Sequence, residues 1–147
     1  MNVQETMKVG KNLARKLSPG DIVCLTGELG SGKTTFVKGM AQGLGLKKEE
    51  VHSPTFVLMN IYEGRLSLYH FDLYRIDQID TTTAAECEEF FYGDGISVIE
   101  WAEKLKKYFP KEFIRIGFEH KGENERMIKI SVVGKRYHSF FRKISKT

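Results

Sequence analysis

The chain has 147 residues, 41% of them hydrophobic, with 10 Phe, 6 Tyr and a formal net charge of +4. That length fits one domain, taken as residues 1–147, and the apolar content can fill one core, which excludes a largely disordered chain. No run of about 18 apolar residues occurs, and Met1-Asn2-Val3-Gln4-Glu5-Thr6 lacks the basic-then-apolar pattern of a secretory signal, so no membrane is expected and the location is taken as cytoplasmic.

Val3, Met7, Gly10, Ala14 and Leu17 recur at steps of three and four and predict one face of an opening helix. Ser18-Pro19-Gly20-Asp21 stops it. Ile22-Val23-Cys24-Leu25 is a short continuous apolar run, the pattern of a strand buried on both faces. A glycine-rich loop follows, then a second helical stripe through Phe36, Val37, Met40, Ala41 and Leu44, ended by Gly43 and Gly45. Residues Thr55–Tyr62 and Leu66–Phe71 read as strands joined at the turn Glu63-Gly64-Arg65. From Ile76 to Glu100 the chain carries no Lys or Arg and is acidic; within it Thr83–Phe91 reads as a helix and Gly95–Ile99 as a buried strand. A helix is expected over Trp101–Tyr108, then strands over Phe113–His120 and Arg126–Val133. The tail from Lys135 onward is basic, which fits either steering toward RNA or an acidic partner, or a solvated terminal helix. Cys24 and Cys87 have no His at metal-ligand spacing and read as reduced, structural residues. The alternation of strands and helices, with two hairpins, points to an α/β protein with a mixed β-sheet flanked by helices.

The strongest chemical pattern is Gly27-Glu28-Leu29-Gly30-Ser31-Gly32-Lys33-Thr34, the full spacing of a phosphate-binding P-loop between a buried strand and an amphipathic helix. Glycines allow the tight turn that aims several backbone N–H groups at one anion, and the helix N-terminus adds its positive end. Lys33 supplies a point charge for the β and γ phosphates, and the Thr34 hydroxyl is a hard oxygen ligand for Mg²⁺. Hydrolysis or transfer also needs an acid near the metal and a group that places the nucleophile. Glu100 and Asp72 each end a predicted strand, where parallel strands deliver side chains to one crevice. The alternative for each is an ordinary surface acid that caps the next helix. His70, between aromatics, reads as a hydrogen-bonded core residue; Tyr74 and Arg75 suit phosphate or a partner; Trp101 is equally explained by packing.

Four segments together resemble the bacterial TsaE (YjeE) family, the small ATPase of tRNA threonylcarbamoyladenosine synthesis. They are the loop through Thr35-Phe36, Ser53-Pro54-Thr55-Phe56, His70-Phe71-Asp72-Leu73-Tyr74-Arg75, and Ile99-Glu100-Trp101-Ala102-Glu103. The loop is common to many ATPases, whereas the other three in this order are far more specific. The likeness runs from about residue 5 to 137, with the loops and tail matching only loosely. It implies a P-loop NTPase fold, ATP and Mg²⁺ as ligands, and slow hydrolysis that sustains repeated rounds of modification of adenosine 37 by a TsaD–TsaB heterodimer. Contact with tRNA would be indirect. By the same resemblance Gly30, Ser31, Gly32, Lys33, Thr34 and Thr35 hold the nucleotide, Thr34 and Glu100 the metal, and Asp72 is a second acid near the γ-phosphate. Tyr74, Arg75 and Trp101 fall on positions coupled to activity or partner, and Thr6 lies near the base.

Two other readings share the loop. A small-molecule kinase needs an acceptor pocket and an Arg-bearing lid, for which 147 residues leave little room. A non-hydrolysing nucleotide switch would use bound ATP to shape a docking surface. A GTPase is disfavoured because neither Asn-Lys-x-Asp nor Asp-x-x-Gly after the sheet occurs.

Overall fold

The computed structural model of the protein describes residues 2–27, 32–46, 51–52, 59–64, 66–74, 79–120 and 126–140. Its elements are α1 (Val3–Ala14), β1 (Ile22–Gly27), α2 (Lys33–Gly43), β2 (Val51–His52), β3 (Met59–Tyr62), β4 (Leu68–Asp72), α3 (Thr81–Phe91), β5 (Ile96–Glu100), β6 (Phe113–His120) and β7 (Arg126–Val133). Short 3-10 segments cover Ala102–Tyr108 and Lys135–Tyr137.

The strands form one mixed seven-stranded sheet in the order β2-β3-β4-β5-β1-β6-β7. Strands β4, β5, β1 and β6 are mutually parallel, and antiparallel pairs flank them on both sides. The alternation of side chains along β1 explains its continuous apolar run. Val23 and Leu25 join the core under α1 and α2, whereas Ile22 and Cys24 join the core that holds Cys87 and Phe91 of α3. Helices therefore cover both faces, as a parallel sheet requires. Both cysteines are free and buried. Among the described residues no helix is long and apolar enough to cross a membrane.

Helix α1 opens on a capping box, in which Asn2 Oδ1 accepts from Glu5 N (2.8 Å) and Glu5 Oε1 accepts from Asn2 N (3.2 Å). Its buried face is Thr6, Gly10, Leu13 and Ala14. Val3, expected on that face, is 53% exposed, and Leu17 is buried only after the helix has ended. Helix α2 lies backbone to backbone against α1. A Cβ at Gly10 would collide with Phe36 O, and one at Gly39 with Met7 O. Side-chain volume is absent where the helices cross, so α2 is held directly by main chain. It ends in a Schellman turn: Gly45, at φ +79°, donates to Gln42 O, and Leu46 N donates to Ala41 O.

Three expectations shift. Strand β4 covers Leu68–Asp72 rather than Leu66–Phe71. Strand β2 was not foreseen because two residues carry no periodicity, and of the expected strand Thr55–Tyr62 residues 55–58 lie outside the described residues. The helix expected over Trp101–Tyr108 is a run of 3-10 turns, broken at Lys106 (φ 52°, ψ −117°) and opened by Trp101 in the left-handed region.

The acidic and basic stretches also resolve in part. Asp80 caps α3, its carboxylate accepting from Thr83 N at 2.7 Å. Arg136 of the basic tail is a clamp on the start of the central strand. Its guanidinium reaches buried Asp21 at 2.9–3.0 Å and Pro19 O at 3.0 Å. Beside it the Tyr137 hydroxyl accepts from Ile22 N at 2.9 Å.

Tyr137→Phe strands the buried Ile22 N–H and is expected to cost about 1–3 kcal/mol, read from urea unfolding. Burial pushes the Cys24 thiol up to about 12 and the Cys87 thiol up to about 11, with Glu86 adding to the latter. Because the thiolate is the reactive form, neither should react with a disulfide reagent at pH 8 until the protein is denatured.

Candidate active site

Strands β4, β5 and β1 end side by side, and the parallel registers Asp72↔Glu100 and Leu25↔Glu100 align those ends. Crevices of open α/β sheets form beyond such carboxyl ends. Helix α2 starts at the same edge. Gly32 precedes it at φ 107°, a conformation that disfavours a side chain, and Lys33 is its first residue.

Lys33 is 5% exposed, and burial of an ammonium requires partners. Its Nζ donates to Gly27 O at 2.9 Å, stands 4.0 Å from Glu100 Oε1, and lies 4.8 Å from the centroid of the Trp101 ring. Glu100 is also 5% exposed, and its second oxygen, Oε2, is 2.6 Å from His70 Nε2. A carboxylate only accepts, so Nε2 carries the proton of that bond. His70 Nδ1 is buried and finds no partner among the described residues. His70, Asp72 and Glu100 share a face because β4 alternates and pairs His70 with Val98 and Asp72 with Glu100.

Asp72 is exposed, and its Oδ1 accepts from Tyr74 N at 3.1 Å, which turns the chain as it leaves β4. Leu73 N donates to Glu100 O at 3.2 Å, tying the two strand exits together. The Tyr74 ring is exposed and lies 5.1 Å from that of Trp101, tilted by 43°. Lys104 Nζ fastens this corner by donating to Tyr74 O at 2.8 Å. Trp101 holds φ 62° and ψ 39°, costly for a residue with a bulky side chain, and that conformation sets its ring over Lys33.

The structure thus gathers Lys33, Asp72, Glu100, Trp101 and Tyr74 at one edge, with Thr34 exposed and Thr35 half-buried in the first turn of α2. Thr6 is fully buried on α1, its hydroxyl donating to Asn2 O at 3.0 Å. Gly30, Ser31 and Arg75, and the segment Ser53-Pro54-Thr55-Phe56, lie outside the described residues. His70 as a hydrogen-bonded core residue holds, and its partner is the acid of the site itself. The signal was present: residues 70 and 72 point one way on any strand. Nothing in the sequence marked Lys104 or the Gly27 carbonyl.

A protein-family model described as "Threonylcarbamoyl adenosine biosynthesis protein TsaE" matches residues 1–128. The chain belongs to the TsaE family. It is 39% identical over 147 residues to the tRNA threonylcarbamoyladenosine biosynthesis protein TsaE of Bacillus subtilis, covering 99% of this chain and 91% of that one. It is 39% identical over 130 residues to the TsaE of Treponema pallidum, covering 88% and 96%. The crystal structure of YdiB from Bacillus subtilis superposes with a TM-score of 0.83 at 35% identity, covering 99% of this chain and 90% of that one. Membership of the TsaE family gives the protein a role in tRNA threonylcarbamoyladenosine biosynthesis.

Removing the imidazole leaves buried Glu100 with one fewer donor. His70→Ala is expected to lose about 1.5–3 kcal/mol in urea unfolding, the range for bonds to charged groups, and His70→Gln, which keeps an N–H donor, to lose less.

Proposed function

We propose that this chain binds ATP with Mg²⁺ on the loop from Gly27 to Thr34 and hydrolyses it slowly, in support of tRNA modification by a TsaD–TsaB heterodimer. The reading is carried by one juxtaposition: the first lysine of α2 stands 4.0 Å from an acid at the end of the adjacent parallel strand, with Asp72 in register beside it. That is the arrangement a phosphate loop needs for a metal-bearing triphosphate.

The oxygen set suits Mg²⁺, which usually takes one or two carboxylates and substrate phosphates rather than an all-protein cage. Glu100 and the Thr34 hydroxyl are the groups that would hold it. Among the described residues no cluster of three or more His, Cys, Asp and Glu could hold a metal alone. When bound, Mg²⁺ supplies neutralising charge to the phosphate oxygens.

The other roles fall to the chain. The loop amides, with those of Thr34 and Thr35, grip the phosphates, and the Lys33 ammonium exchanges Gly27 O for a phosphate oxygen. Asp72, exposed at the crevice, accepts a hydrogen bond from the attacking water and aims it at the γ-phosphorus; ADP departs and phosphate is released. Tyr74, in tilted contact with Trp101 beside Lys33, gives a docking protein mechanical access to the phosphate-binding lysine. This suits an ATPase whose turnover depends on its partner, a coupling role that the family resemblance extends to Arg75.

Lys33→Ala removes a charge-assisted contact worth on the order of 1.5–3 kcal/mol, so ATP affinity should fall about ten- to a hundredfold and turnover should vanish. Calorimetry and phosphate release measure both, and wild-type rates in this variant would overturn the assignment. In reconstituted multi-round tRNA modification, a Glu100→Gln chain that still binds ATP and its partner should fail to sustain turnover. Sustained modification there would instead mean that bound ATP acts without hydrolysis.

A further inference from the structure

Away from the strand ends, an open groove of about 530 Å³ runs along α1 and meets α2 at Gln42. Among the described residues its charged lining is all cationic: Lys8, Lys11 and Arg15, interleaved with the amides of Gln4, Asn12 and Gln42. Gln4, Lys8, Lys11 and Arg15 recur at helical spacing along one face of α1, and the cations span about 10 Å of its axis. Lys38 is exposed one turn before Gln42 and adds a positive charge to α2. The one acid of α1, Glu5, is committed to the capping box, and no ion pair engages Lys8, Lys11 or Arg15 among the described residues. The main-chain contact of Gly10 and Gly39 fixes the distance between the groove walls. Gln42 lies nine residues past Lys33, about 13 Å along α2, so this groove is separate from the phosphate loop.

The family resemblance implies only indirect contact with tRNA; from the charge of this groove we infer instead that it binds the phosphate backbone of RNA directly. A row of uncompensated cations on a rigid helix neutralises successive phosphates, and the amides both donate to phosphate oxygens and accept from ribose 2′-hydroxyls. An acidic peptide fits less well. Peptides docked in helix grooves are held by apolar anchors, and among the described residues Met7 is the single apolar side chain lining this groove. The role in tRNA modification selects RNA as the polyanion. The inference does not require the chain to bind ATP.

The test is fluorescence anisotropy of a labelled tRNA anticodon stem-loop titrated with the full chain at several salt concentrations. The triple variant Lys8→Gln, Lys11→Gln, Arg15→Gln keeps helix propensity and leaves the nucleotide residues intact. It should bind RNA at least tenfold more weakly, with a salt slope flattened by about two to three, while its thermal midpoint and Mg-ATP affinity stay at wild-type values. No RNA binding by the wild-type chain, or equal affinity in the triple variant, would overturn the inference. So would a loss that instead follows Lys143→Gln with Lys146→Gln in the tail, or displacement of the RNA by polyglutamate as readily as by unlabelled RNA. If RNA binding responds as expected but calorimetry finds no ATP uptake, the groove stands and the nucleotide reading falls.

Discussion

A carboxylate and an ammonium buried side by side are stable only if each has further partners, because the loss of hydration outweighs a bare ion pair. Glu100 and Lys33 satisfy that condition through different neighbours. His70 takes one oxygen of Glu100, and the Gly27 carbonyl and the Trp101 ring take up Lys33. The two charges consequently rest 4.0 Å apart instead of closing into a tight pair. Each keeps capacity for a ligand, and the rest of the molecule maintains that separation.

The sheet fixes one side of it. Because β4, β5 and β1 are parallel and in register, residues far apart in sequence arrive at one edge, Asp72 beside Glu100 and both next to the start of α2. The helix layer fixes the other side. The close crossing of α1 and α2 leaves α2 no lateral slack, so the position of Lys33 is inherited from main-chain contact rather than from adaptable side chains. At the rim, Trp101 keeps its ring over Lys33 at the expense of an unfavourable backbone conformation, a concentration of strain typical of functional positions.

Much of this was legible in the sequence because it rests on short-range regularities. The apolar run Ile22–Leu25 could only be a strand covered on both sides, and all four residues are buried. The strand-end positions of Asp72 and Glu100 followed from the end of each alternating or apolar run. What escaped depends on contacts that no local pattern encodes. The segment after Glu100 has helical composition, yet the left-handed Trp101 and the break at Lys106 hold it in 3-10 turns. Val3 fits the stripe of α1 but, as the first residue of the helix, meets solvent. Arg136 looked like one more charge in a basic tail, whereas its partner Asp21 lies 115 residues earlier.

That last distance bears on how the chain comes to be made. Strand β1 sits between β5 and β6, which leave the ribosome much later, and its first residues are sealed by Arg136 and Tyr137, about 115 residues further along the chain. A nascent chain that already carries the glycine loop therefore has no neighbouring strands to hold it. Such non-local pairing makes folding slow and late. A chain cut short before β5 and β6 would leave β1 unpaired on both edges, with nothing to place Lys33 beside Glu100.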